Sequence, residues 1–271
     1  MHLDLLQSIS LAGRKAVPND DRVGCGHRHA WVIDGATDLG EPGLLGRRGG
    51  AAWLAGEAHA AFHTASGTIE TLCDDVFKTV ASSFARDRTR EPIAAWEQPR
   101  AAFAVVALEE DRLACAHVGD CTVLHSGADG VAFVTPPHDR EAEREAAAAL
   151  GAGIGAHNVK SDIVLADRRA ARSGLTTFLG IDAVQAMAVT AFCRIPVSRG
   201  DELLLMSDGF AALVDAYRAY DAAGLFAAVE SRGLARLADE LRQIEMEDAA
   251  CLRFPRFKRC DDATAIWVRI G

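Results

Sequence analysis

Four short stretches of this chain share one pattern, an apolar strand-like run that delivers an aspartate to its end. They are Ala30-Trp31-Val32-Ile33-Asp34-Gly35, Ala114-Cys115-Ala116-His117-Val118-Gly119-Asp120, Glu202-Leu203-Leu204-Leu205-Met206-Ser207-Asp208-Gly209, and Asp261-Asp262 leading into Ala263-Thr264-Ala265-Ile266-Trp267-Val268. Clustered carboxylates at the rim of a buried sheet are tolerable only if something positive neutralises them, and all-oxygen donors suit hard divalent cations. Taken singly, each Asp-Gly also reads as a hairpin turn, because Gly supplies positive φ and Asp tolerates the turn. Recurrence across the whole chain, with an acidic Asn19-Asp20-Asp21 ahead of it, favours one shared site.

A chain of 271 residues with 49% hydrophobic content can bury a large core in a single domain spanning residues 1–271. A net charge of -9 excludes a general nucleic-acid binder, which needs an excess of Lys and Arg to displace phosphate counterions. No apolar segment approaches the roughly 20 residues that cross a bilayer, and the first residues carry an acid where an export signal needs positive charge. Seven cysteines, with no Cys-x-x-Cys spacing, read as reduced thiols in a cytoplasmic protein.

The helix formers of 51–65 and the four-residue recurrence of Leu72, Val76, Val80 and Phe84 predict two helices after the first Asp-Gly strand. His59 and His63, four apart on the first of these, form only a weak metal-ligand pair, because no neighbouring Glu is placed as in His-Glu-x-x-His. Strands are predicted over 101–108, 112–118, 121–125 and 131–134, spaced as an antiparallel meander. A short helix over 139–150 with a Gly stop follows, and then an irregular glycine-rich stretch over 151–180. Strands over 187–195 and 202–206, helical material over 210–217 and 225–246, and a last strand over 263–270 complete the chain. Helices grouped between runs of strands suggest sheets with helices layered outside them.

In this order the motifs resemble the metal-dependent protein phosphatases of the PP2C type. The matching segments are Asn19-Asp20-Asp21, Val32-Ile33-Asp34-Gly35, Val118-Gly119-Asp120-Cys121, Leu205-Met206-Ser207-Asp208-Gly209 and Asp261-Asp262-Ala263-Thr264. The resemblance implies an α+β fold, a four-layer αββα sandwich in which two central antiparallel sheets are flanked by helices. It also implies two Mg²⁺ or Mn²⁺ ions, with Asp34 bridging them, the Gly35 carbonyl on one, Asp208 and Asp261 on the other, and Asp21 acting through water. The implied reaction is attack of a metal-activated water on phosphoserine or phosphothreonine in a phosphoprotein, with Asp34 and Asp208 carrying the catalysis.

Departures from the family pattern carry expectations of their own. Ala36 stands where a His is usual, so His27, His29 or a metal-bound water is left as the proton donor to the leaving group. Ala212 replaces an aspartate, which weakens a possible third metal site at Asp120. Arg14 and Lys15 are the candidates for holding the substrate phosphate, Arg47 and Arg48 are either anion contacts or plain surface, and residues 139–180 fall where the family carries a flap. The competing readings are a catalytically weak or inactive regulatory module that binds phosphoproteins, and a hydrolase of small phosphate esters.

Overall fold

Strand β4 (Ala101–Glu109) shows how the molecule is layered. Its side chains alternate between two cores: Phe103, Val105 and Ala107 pack with Trp31, Leu54, Phe62 and Phe77, while Ala102, Ala104, Val106 and Leu108 pack with Val123, Leu205, Ile266 and Val268. A strand buried on both faces has no polar side, so it reads as one continuous apolar run. The computed structural model describes residues 1–14, 17–46, 49–157, 162–172 and 177–271.

In chain order the elements are β1 (Leu3–Leu11), β2 (Arg22–Cys25), β3 (His29–Gly35), α1 (Gly50–Thr64), α2 (Ile69–Asp87), β4, β5 (Arg112–Val118), β6 (Thr122–Gly127), β7 (Gly130–Phe133), α3 (Glu141–Leu150), α4 (Asp162–Arg172), α5 (Ala183–Val189), β8 (Ala191–Pro196), β9 (Glu202–Met206), α6 (Asp208–Ala211), α7 (Ala222–Glu247) and β10 (Ala263–Ile270). One sheet runs β1-β10-β9-β6-β7 and the other β2-β3-β4-β5-β8. Every pairing is antiparallel. The residues between the sheets form an apolar middle layer. Helices α1 and α2 cover the outer face of the β3-β4-β5 sheet, and α6 and α7 cover that of the β10-β9-β6 sheet. The αββα sandwich is therefore observed.

Several details differ from the sequence expectation, one being that the helical material expected over 210–217 is the short α6, which ends at Ala211 and gives way to turns. Residues 187–189 belong to α5, because Asp182 caps that helix by accepting the Val184 and Gln185 N–H groups at 3.0 and 3.1 Å, and the strand starts only at Ala191. The stretch over 151–180 contains helix α4. The expected 225–246 helix is broken at Gly233, whose φ of 77° is outside the helical region. At that break the Leu234 N–H donates to Gln7 Oε1 on β1 at 2.8 Å, tying the kinked helix to the sheet edge.

Among the described residues no helix is long and apolar enough to cross a membrane. All seven cysteines are free thiols.

Candidate active site

The sandwich brings one end of each sheet to a common rim. Asp34 lies near the end of β3, Asp208 follows β9, Asp261 and Asp262 precede β10, and Asp120 follows β5. The Asp208 N–H donates to Asp34 Oδ2 at 3.4 Å, joining the two sheets at this point. Asp34, Gly35, Asp120, Asp208 and Asp261 line one cleft of about 280 Å³.

Short hydrogen bonds fix the acidic loop against the rim. Asp262 accepts the Gly13 N–H at 2.7 Å and the Asp20 N–H at 2.6 Å, so both ends of the 13–20 loop hang on one carboxylate. Asn19 Oδ1 accepts the Asp21 N–H at 2.8 Å, and the Asn19 amide reaches Ser10, itself bonded to Thr264. The glycines after Asp34 and Asp208 are explained by crowding, and neither has positive φ. A Cβ on Gly35 would stand 2.7 Å from the Asp20 carbonyl oxygen, and one on Gly209 would stand 1.9 Å from that of Asp262. The turn reading of these two Asp-Gly pairs therefore fails.

The carboxylates repel one another in a poorly solvated place. Burial, reinforced by Asp208, Asp21 and Asp120, pushes Asp34 well above the ordinary carboxylate range. Asp21 is 1% exposed, and neither of its carboxylate oxygens has a hydrogen-bond partner among the described residues. Burial pushes it up to about 8; the Ser207 hydroxyl is near enough to offset part of this, but its hydrogen bonds go to the Thr264 carbonyl and N–H, not to the carboxylate. Asp20 is raised to about 7 by burial and by Asp262. Asp120 is raised to about 6 by burial and by Asp208, less the pull of Arg140. Burial likewise raises Asp261.

Two cations that sequence reasoning does not single out stand among these acids. Arg140 Nη1 lies 3.1 Å from Asp208 Oδ2, and its Nε lies 3.3 Å from Asp215 Oδ2. Burial alone would raise Asp208, but Arg140 and the Asp34 contact hold it below its usual value. Lys258 Nζ sits 2.6 Å from Asp261 Oδ1, and its carboxylate neighbours raise its own pKa despite burial. The only signal in the sequence is the three-residue spacing of Lys258 and Asp261; Arg140 carries none. With these pairs formed, the described His, Cys, Asp and Glu residues contain no ready-made metal cluster. The donor set nonetheless fits a hard divalent ion: every candidate ligand is oxygen, the acids repel one another, and Asp21 has an orphaned buried carboxylate.

The remaining candidates divide. Arg14 lines the cleft, whereas Lys15, Arg47 and Arg48 lie outside the described residues. His27 and His29 are not at the site. His29 opens β3, five residues before Asp34, roughly 17 Å away at ~3.3 Å per residue. It bonds the Phe62 carbonyl, and His27 stacks on His2. His59 and His63 face each other and Trp31, with no third ligand among the described residues. His138, which no motif marks in sequence, bonds the Gly119 carbonyl at 3.2 Å beside Asp120.

The fold is similar to that of the serine/threonine phosphatase PstP/Ppp of Mycobacterium tuberculosis, at 15% identity and TM-score 0.60 over 100% of both chains. A structure of the PstP catalytic domain in complex with two manganese ions matches at 16% identity and TM-score 0.57, over 100% of this chain and 99% of that one. The S. agalactiae serine/threonine phosphatase matches at 13% identity and TM-score 0.57 over 100% of both. No match is found among curated protein sequences. The family model described as Protein phosphatase 2C matches residues 13–244. With that match over most of its length, the chain belongs to the protein phosphatase 2C family.

Proposed function

We propose that this protein is a metal-dependent phosphatase that hydrolyses phosphoserine and phosphothreonine in proteins. The observation that carries the reading is the convergence of Asp34, Asp208 and Asp261, remote in sequence, on one cleft beside the orphaned carboxylate of Asp21. Asp34, the Gly35 carbonyl, Asp208 and Asp261 would hold two Mg²⁺ or Mn²⁺ ions, with Asp21 acting through water. When bound, such ions supply a hydroxide near neutral pH and offset charge on the phosphoryl oxygens.

The chain's own residues do the positioning. Asp262 fixes Gly13, next to Arg14, and the position of Arg14 in the cleft wall supports its reading as a phosphate contact. Arg140 counterbalances Asp120 and Asp208 from the protein itself, so Asp120 has a covalent cation beside it where a third ion would otherwise be called for. Within 139–180 the helices α3 and α4 both contribute to the cleft wall, which supports reading this part of a single 1–271 domain as flap-like. The seven free thiols suit a cytoplasmic protein.

The test is Mn²⁺-dependent turnover of p-nitrophenyl phosphate and a phosphothreonine peptide by wild type and Asp208→Asn. Loss of turnover on chelation and in the variant is expected. Turnover that survives both refutes the mechanism, and turnover of nucleotides or sugar phosphates in preference to the peptide assigns a small-ester hydrolase. One observation favours a second reading, a weak or inactive phosphoprotein-binding module: Asp208 and Asp261 are each already engaged by a cation. Phosphopeptide binding without turnover at saturating Mn²⁺ would select it.

A further inference from the structure

The cleft that holds the carboxylate rim is also lined by cations. Arg144, Arg168 and Arg172, from α3 and α4, contribute to its wall. Their positions are set by contacts that leave their charge largely unspent. Helix α4 is anchored by Arg169, which donates to the Leu39 carbonyl at 2.7 and 3.0 Å and lies 4.2 Å over the Trp96 ring. One turn apart on the same helix, Arg168 and Arg172 share a face. Arg168 is held 3.7 Å over the Phe257 ring, which orients its plane without neutralising it.

The carboxylates nearby are committed elsewhere or lie toward solvent. Asp38, the acid that faces Arg172, accepts the Gly50 and Ala51 N–H groups at 2.6 and 3.0 Å at the start of α1. Glu245 is engaged by Arg242 at 2.6 Å, and Glu143 by Arg140 at 2.9 Å. Asp167 touches Arg168 at 3.1 Å, but both are about a third exposed, where such a pair contributes little. Glu141 meets Arg144 at 3.3 Å from an exposed position, while Arg144 Nε is buried with no partner among the described residues. Arg172 is the extreme case, since its guanidinium makes no hydrogen bond or ion pair with a described residue. Burial, with repulsion from Arg100 and Arg168, pulls its pKa down to about 10. A guanidinium in that position is stabilised by any anion that enters.

We propose that Arg144, Arg168 and Arg172 form an anion subsite that takes a second negatively charged group of the substrate, so that the preferred substrates are phosphopeptides with an acidic side chain or a second phosphate near the phosphorylated residue. This rests on the phosphatase reading above and specifies its substrate class. The rim takes the phosphate to be hydrolysed, and the arginine wall takes the neighbouring anion without taking part in bond breaking.

The experiment compares kcat/KM at saturating Mn²⁺ for three phosphothreonine peptides, one with neutral flanks, one with Asp and Glu flanks and one doubly phosphorylated, with p-nitrophenyl phosphate as the control. Wild type should favour the charged peptides about tenfold, mainly through KM, and the preference should collapse as salt rises. The Arg168→Ala/Arg172→Ala variant should lose that preference while turning over p-nitrophenyl phosphate within twofold of wild type. Gain with the doubly phosphorylated peptide alone identifies phosphate as the second group, and gain with both identifies any carboxylate or phosphate. Equal kcat/KM for neutral and charged peptides in wild type, or a preference that persists in the variant, overturns the subsite. If nothing is hydrolysed, the phosphatase reading fails separately; fluorescence anisotropy of the same labelled peptides then decides, with tighter binding of the charged ones supporting the subsite and equal binding refuting it. Arg144→Gln is the second variant should the double one not fold, and it should halve the preference or more.

Discussion

Replacing Arg140 by Ala tests whether the acidic rim is held together by a cation of the chain itself. The guanidinium is 12% exposed and its partners Asp208 and Asp215 are 19% and 10% exposed, so these are largely desolvated pairs. Removing one member of such a pair leaves the other charge uncompensated, at a cost of about 3–5 kcal/mol. The third contact, to Glu143 at 2.9 Å, adds little because Glu143 is 43% exposed. The metal-free variant should therefore lose about 3–5 kcal/mol in urea unfolding, while Glu143→Gln loses less than ~0.5 kcal/mol. Divalent ions should return much of the loss, since a ligand at about a hundredfold its Kd adds about 2.7 kcal/mol and the freed Asp208 is the group it would meet. An Arg140→Ala variant within ~1 kcal/mol of wild type in EDTA would refute this account of the rim.

The other expectations are compact. Asp20 at about 7 and Asp21 at about 8 both lie above their ordinary value of 3.8, so between these values the folded, metal-free protein binds more protons than the unfolded chain. The contribution of these groups should be full below about pH 4 and fall as pH rises toward 8, and saturating Mn²⁺ should flatten the trend by favouring the ionised forms; equal urea midpoints at pH 5 and pH 8 in EDTA would contradict it. Gly209→Ala places a Cβ 1.9 Å from the Asp262 carbonyl oxygen, so the start of α6 must shift away from the start of β10, costing about 1–3 kcal/mol and most of the phosphatase activity. Asp262→Ala removes the acceptor of the Gly13 and Asp20 N–H groups and should raise KM for phosphopeptides more than it lowers kcat, as measured in steady-state kinetics.

How far a residue's role is legible in sequence follows from where its energy comes from. Strands β3, β4, β5, β9 and β10 are buried on both faces, and burial writes itself into sequence as an apolar run whose end is visible. That is why Asp34, Asp120, Asp208 and Asp261, set at such ends, stand out in the sequence alone. Strand β1 is mostly exposed along one face, and β2 is short and half-buried, so neither leaves a comparable mark. The Met187–Val189 run resembles strand because apolar residues continue into β8, and only the capping contacts of Asp182 decide for helix.

The cations are the least legible part of the site, for a reason general to such clefts. Arg140, Arg168 and Arg172 sit in Ala-rich, charge-rich stretches where an arginine that solvates and an arginine that faces a cleft have the same neighbours in sequence. Their roles arise only because α3 and α4 pack beside the rim, which sets one guanidinium on Asp208 and two in the wall of the same cleft. The carboxylates define where a phosphoryl group would be attacked, because strand ends fix them. The arginines define what else the substrate must carry, because a desolvated guanidinium such as Arg172, with no ion pair to a described residue, gains from an entering anion. Reaction and selectivity are thus assigned to different layers of the fold, the first to the rigid sheet rim and the second to helices packed against it.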